Sequence, residues 1–486
     1  VKNPVIIAVI VFWLIMTALL VYRQSASRLP YTDVDLMRPS ESYLILELPG
    51  GQRAGYVQMI QQPTRRDDEQ GVQMILTARG ALNLLGRMTQ FTVRGDTWRG
   101  LESGKTVFGW RLVSEGHRIA FEGSIDGGRL RAEVRTAGEV IPVNFDVGDA
   151  FAITPDFAGN LDIAQMRPGG AYTTDSFDPL TMSRSTWRIR AVREETIEAY
   201  GETYDTMLLE LDSGLMTTRA WVSFDNELIR VETPVGFTLV RADSQTALGA
   251  VQPTDADDLL GFTAIRPTGQ QPFRGASRMI ARIGGIDDAI AIEQDDAQYF
   301  VEDGLLRVAP GGPLDAPMPD APALGDLEPY LAADPFVQAD HPTIVSQAEA
   351  IVGGVTDPWE KARRIYEFVF HELDKTAVIS FPSALEVLEQ REGDCNEHTV
   401  LYAALARAVG VPTRIAIGVV WSGELDGFYY HAWPEVFIGQ WVWLDPTLGQ
   451  IPADATHIKL FSGGIETWPR LTAFIGNLEI EVVEIE

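Results

Sequence analysis

Three residues in the last third of the chain have the types and order that nucleophilic acyl chemistry needs: Cys395, His431 and Asp445. A thiol can attack an amide carbonyl once a neighbouring imidazole takes its proton. A carboxylate on the far side of the imidazole fixes the tautomer and stabilises the charged ring. Cys395 is the single cysteine of 486 residues. An intramolecular disulfide and any zinc site needing two thiolates are therefore excluded. The bland reading of a lone cysteine is a small buried hydrophobe, so its surroundings must decide.

Those surroundings favour chemistry. Cys395 sits in Gly393-Asp394-Cys395-Asn396-Glu397-His398. Asp394 reads as a helix N-cap with Glu397 as its capping-box partner, which puts the thiol at the first helical position. Unpaired backbone donors and the helix dipole there favour the thiolate, while Glu392, Asp394 and Glu397 oppose it. A nearby imidazolium is then needed to hold the charge. The backbone N–H of Cys395 is the expected oxyanion donor. Leu401, Ala404, Leu405 and Ala408 form the buried stripe, and Gly410 ends the helix with Pro412 beyond.

His431 lies in a strand-like run, Tyr430 to Ile438, and Asp445 closes the next one, Trp441 to Asp445. Side chains alternate across a strand. A two-residue loop at Gly439-Gln440 would pair Ile438 with Trp441 and put His431 and Asp445 on opposite faces. The pair can meet only if the loop holds an odd number of residues or a strand carries a bulge between Phe437 and Val442. Trp433, Trp441 and Trp443 beside them fit a hydrophobic acyl-donor cleft or plain hairpin core equally well. His398, one turn beyond Cys395, reads as a helix-surface or supporting residue. A zinc site on His398, His431 and Asp445 lacks any recognised ligand spacing.

Together GDCNEHT, ALARAVGVPTRIAIGVV, YHAW and WVWLDPTLGQ resemble the bacterial transglutaminase-like superfamily over roughly residues 340 to 465, the trailing ADATHIKL included. The resemblance implies a papain-like fold with Cys395 as nucleophile, His431 as base and Asp445 as its partner. It also implies crosslinking, deamidation, amide hydrolysis or proteolysis as the activity. No cofactor and no metal site are implied, and no calcium ligand loop is visible.

The elements that must position this site divide the chain into an expected α+β arrangement. Residues 1–28 hold an uncharged run from Pro4 to Tyr22, long enough for a signal-anchor helix. A cleaved signal peptide, cut near Ser25-Ala26-Ser27, is the weaker alternative because the apolar run is long. Residues 29–245 read as an antiparallel β domain, with strands such as Tyr43 to Leu48, Trp187 to Val192 and Met207 to Leu211. Asp225-Asn226 marks a hairpin there, and Trp98, Trp110, Trp187 and Trp221 read as core. Residues 246–340 read as a linker region with short strands and a proline-rich segment, Ala309 to Gly325. Residues 341–486 form the helical and strand-bearing enzyme domain. Asp357-Pro358-Trp359-Glu360 opens one of its helices, and a second covers Ser383 to Gln390.

The charge of -29, from 68 acidic and 39 basic residues, excludes a nucleic-acid partner. The expectation is a single-pass protein of a bacterial inner membrane, its bulk periplasmic, acting on proteins or peptides of the envelope. A non-catalytic peptide-binding module and an envelope scaffold are the competing classes.

Overall fold

The computed structural model describes residues 39–84, 87–114, 117–135, 140–146, 163, 166–178, 183–212, 217–233, 236–249, 264–286, 290–302, 304–311, 324–376, 383–424, 426–464, 467, 470–471 and 473–486. The expected anchor, Pro4 to Tyr22, lies outside them. Among the described residues no helix is long and apolar enough to cross a membrane. The chain divides into two compact units at residue 260.

Among the described residues, the first unit builds a 14-stranded antiparallel sheet. One meander runs from Ser40–Glu47 to Val140–Asp146, and another from Ala171–Asp178 to Thr238–Ala242. They join where Tyr43 pairs Ala242 and Glu47 pairs Thr238. Period-two patterning makes these strands, as in Arg129–Arg135, where buried and exposed residues alternate throughout. The hairpin at Asp225-Asn226 forms between Thr217–Ser223 and Leu228–Glu232, and Asn226 takes the left-handed turn at φ 61°. Trp98, Trp110, Trp187 and Trp221 are all buried.

The second unit has two sheets that matter here. A four-stranded antiparallel sheet contains β1 (Thr413–Ser422), β2 (Gly427–Phe437), β3 (Trp441–Trp443) and β4 (His457–Ser462), in the order β3-β2-β1-β4. Four helices precede it: α1 (Pro342–Val352), α2 (Pro358–Glu372), α3 (Ala384–Gln390) and α4 (Cys395–Ala408). Helix α2 starts as its sequence dictates, with Asp357 Oδ1 accepting the N–H of Glu360 at 2.8 Å. Helix α4 is buried almost all round, and it packs on α2 and β2. Tyr402 donates to the Ala362 carbonyl of α2 at 3.1 Å, and Thr399 to the Ala432 carbonyl of β2 at 3.1 Å.

The stretch expected to carry short strands holds them among the described residues. Strands Met279–Gly284, Gln298–Glu302 and Leu305–Val308 join the last strand of the chain, Glu479–Ile485, in a five-stranded sheet. Met279–Gly284 pairs Glu479–Ile485 directly. The strand Gln298–Glu302 is tied to β4: Gln298 Nε2 donates to the Lys459 carbonyl at 2.7 Å, and the Lys459 N–H returns to Gln298 Oε1 at 2.9 Å. The strands have local patterning, but a pairing partner nearly two hundred residues downstream leaves no local signal.

Candidate active site

The start of α4 is built by reciprocal capping. Asp394 accepts the Asn396 N–H at 2.9 Å, and the Asp394 N–H donates to Glu397 Oε2 at 2.9 Å. Both halves of the capping box are present. Gly393 is needed because Glu397 folds back over it: a Cβ at 393 would lie 2.3 Å from the Glu397 Cβ. Cys395 thereby becomes the first helical residue, fully buried at 0% exposure. The backbone N–H of Ala432, the residue after His431, acts on the thiol to lower its pKa.

The histidine and the aspartate are placed by register. Phe437 pairs Trp441, Val436 pairs Val442 and Glu435 pairs Trp443. Residues 438, 439 and 440 therefore form a three-residue connection, closed by Ile438 N–H to the Gln440 carbonyl at 2.9 Å. The odd count puts His431 and Asp445 on one face. His431 Nε2 lies 2.8 Å from Asp445 Oδ2. Asp445 Oδ1 accepts the N–H groups of Thr447 at 2.9 Å and Leu448 at 2.8 Å. Gly418 of β1, opposite His431, lets β4 approach: a Cβ there would lie 2.0 Å from the Ile458 carbonyl oxygen.

One residue of the site escaped the sequence reading. His457, the first residue of β4, also brings its Nε2 to Asp445 Oδ2, at 3.0 Å. Its Nδ1 lies 3.1 Å from the Asp454 carbonyl oxygen and 3.5 Å from Asp454 Oδ1. The available signal was the ADATHIKL segment, whose His457 opens an apolar run. Nothing local links that residue to Asp445.

The electrostatics separate the two imidazoles. Burial pulls His431 down to about 4, against the pull of Asp445, and His457 pushes it the same way as burial. Burial also opposes charge on His457, but the bonds to Asp445 and Asp454 override it and raise the group to about 9. Asp445 is held well below the usual carboxylate range: burial works against its charge, and the two histidines outweigh it. At neutral pH, His457 is an imidazolium and His431 a neutral ring. The Nδ1 of His431 is buried without a hydrogen-bond partner.

The thiol departs from the expectation drawn from its helix position. Burial pushes Cys395 well above the ordinary thiol value, and Asp394 adds to the rise. The Ala432 N–H opposes both without prevailing. Inside a fully buried site, the cost of desolvating a thiolate exceeds what a helix terminus returns. His398 is likewise buried and depressed to about 4, chiefly by burial. Its Nδ1 lies 2.7 Å from the Asp394 carbonyl oxygen, and its Nε2 has no partner.

The tryptophans divide between two roles. Trp433 and Trp443 are buried core. The Trp433 ring lies 6.1 Å from His431 and 5.0 Å from His457, bracing both imidazoles. Trp441 is partly exposed and carries the Arg414 guanidinium 4.3 Å above its ring. Beneath the hairpin lies a buried ionic network. Lys459 contacts Glu435 at 2.9 Å, Glu293 at 3.3 Å and Asp295, while Arg414 pairs with Glu435 and lies 3.1 Å from Asp295.

The donor atoms of His431, Asp445 and His457 lie within 4.8 Å of one another, a spacing that a metal ion could bridge. His398, part of the zinc arrangement weighed from sequence, is not in that group. Both Nε2 atoms lie within hydrogen-bond distance of Asp445 Oδ2.

A helix opening on a cysteine, packed against a sheet that carries a histidine–aspartate pair, defines a thiol, imidazole and carboxylate site. Comparison with protein families agrees: residues 345–446 match the transglutaminase-like superfamily, and the chain carries a domain of that superfamily. No curated protein matches. Among solved structures, a proposed cysteine protease from Cytophaga hutchinsonii is 14% identical, with a TM-score of 0.29 over 44% of this chain and 85% of that one. A β-barrel-like protein of unknown function from Brucella abortus is 10% identical, with a TM-score of 0.30 over 42% and 95%. A proposed protease from Parabacteroides distasonis is 12% identical, with a TM-score of 0.19 over 79% and 69%. Similarity this low carries no functional argument.

Proposed function

We propose that the second unit is a cysteine-dependent acyl-transfer enzyme acting on amide carbonyls, with hydrolysis of a peptide or side-chain amide as its main outcome. The observation that carries this reading is the 2.8 Å bond between His431 and Asp445, beside a helix that opens on Cys395 and is tied to the Ala432 carbonyl through Thr399. Cys395 is the nucleophile, His431 the base through its free Nδ1, and Asp445 holds the ring. The thiol proton passes to His431 Nδ1 as sulfur attacks the carbonyl carbon. The Cys395 backbone N–H is the oxyanion donor we assign. The C–N bond then breaks and the leaving amine takes the proton from His431. Water attacks the thioester, gives a proton to His431, and the C–S bond breaks with return of that proton to sulfur. A lysine in place of water gives an isopeptide crosslink.

The neutral forms of both groups support a thiol–imidazole resting pair in which proton transfer accompanies attack. The apolar run Pro4 to Tyr22 supports placement at a bacterial inner membrane, with substrates among envelope proteins or peptides. Mass spectrometry of envelope proteins treated with wild type and Cys395→Ser tests the reading. A one-dalton deamidation, a new terminus or an isopeptide bond that depends on Cys395 supports it. Absence of every Cys395-dependent product overturns it in favour of a peptide-binding module or a scaffold.

A further inference from the structure

Four hydrogen bonds converge on Asp445. Oδ1 takes the two backbone N–H groups, and Oδ2 takes both His431 Nε2 and His457 Nε2. The carboxylate has no acceptor site to spare. A base-orienting aspartate needs a single imidazole, so the second one requires a reason. His457 is fully buried, and its other face meets Asp454. Asp454 is itself fixed: it accepts the N–H groups of Gly275 at 2.8 Å and Thr456 at 2.9 Å. The clamp is therefore anchored away from the thiol. Other ionisable groups facing Asp445 are Tyr366 of α2, Lys375 of the segment after it, and His398 of α4. His398 also faces His431. None of these three is hydrogen-bonded to Asp445, whereas His457 is.

We propose that His457 is a positioning residue of this site: an imidazolium clamped between Asp445 and Asp454 that immobilises the Asp445 carboxylate and keeps His431 a neutral base. This deepens the acyl-transfer reading and rests on it. An ionised Asp445 alone would draw a proton onto His431 and block its Nδ1. Sharing that negative charge with a second cation weakens the pull. The rings of His431 and His457 are 5.9 Å apart, close enough for one charge to act on the other through a buried medium. Raised basicity of His457 fits this geometry, as does the depression of His431. The aspartate thus orients the base without over-stabilising its protonated form.

The test uses the full chain with ¹⁵N-labelled histidine and follows imidazole titrations by NMR. In wild type, His457 should remain protonated beyond pH 8. Loss of its proton below pH 6.5 overturns the proposal without any variant. In His457→Gln, which keeps a donor amide but no charge, the His431 midpoint should rise by about one pH unit or more. An unchanged midpoint in a folded variant also overturns it. Alkylation of Cys395 by iodoacetamide gives the matching kinetic readout, since the chain has no other thiol. Its acid limb should move upward with the His431 midpoint, and a fixed limb counts against the proposal. Failure of the enzyme reading looks different: alkylation no faster than that of a free thiol and insensitive to His431→Ala, whatever the imidazoles do.

Discussion

His431 and Asp445, fourteen residues apart, meet at 2.8 Å because an odd number of residues turns the chain between their strands. The pairing of Phe437 with Trp441 leaves 438, 439 and 440 in the connection. Deleting Gly439 leaves two residues and sends Asp445 to the opposite face. Iodoacetamide alkylation of Cys395, read by intact mass, should then slow about 100-fold, the low end of what a positioned base contributes. Adding two glycines to the connection keeps the count odd and should preserve most of the rate. Equal rates for the deletion and wild type would dismiss the link between register and reactivity.

The capping box holds both helix α4 and the nucleophile. In Gly393→Ala, the new Cβ meets the Glu397 side chain and expels it from the Asp394 N–H. Thermal unfolding should show a loss of about 1–2 kcal/mol, the scale of a lost cap. Alkylation of Cys395 should slow as well. A variant with wild-type stability would show that Glu397 is not needed there.

Lys459 and Glu435 are both fully buried, 2.9 Å apart. Removing Lys459 leaves buried Glu435 with Arg414 as its remaining cation and takes away the cation nearest Asp295. Lys459→Met should cost about 3–5 kcal/mol in chemical denaturation. Pairing it with Glu435→Leu removes the excess buried negative charge, leaves Arg414 with Asp295 and Glu293, and should recover part of that loss. A double variant no better than the single one would contradict the ionic account.

The histidines predict a stability maximum near pH 6.5. His457 is raised to about 9 in the folded state, so its stabilisation is complete below its unfolded value near 6.5. It is lost as pH climbs through 9, by on the order of 3 kcal/mol. His431 and His398 are depressed to about 4, so the unfolded chain binds their protons first as pH falls from 6.5 to 4. Stability therefore falls on that side too. Melting temperatures across pH 4–10 should trace this dome. The alkaline slope should flatten in His457→Gln, and an unaltered slope there would assign it to other groups.

Much of the site was legible in the residues because its signals are local. An N-cap, a proline at the first turn and a capping-box glutamate act within four residues, so the starts of α2 and α4 follow from Asp357-Pro358 and Asp394-Cys395. Strand alternation is equally local, and it carried the demand that the turn after Phe437 be odd. The β character of the first unit and its buried tryptophans follow from the same period-two pattern.

Tertiary structure alone decided the rest, for reasons of distance and solvent. That His457 reaches Asp445 as a second imidazole depends on β4 lying beside β1, with Gly418 allowing the approach. Which strand 279–284 pairs with depends on a segment beginning at Glu479. The protonation states reversed a local expectation. A helix N-terminus favours a thiolate where water still helps solvate it, but full burial of Cys395 makes desolvation the larger effect. Residue types named the thiol, the imidazole and the carboxylate; packing decided which of them carries charge.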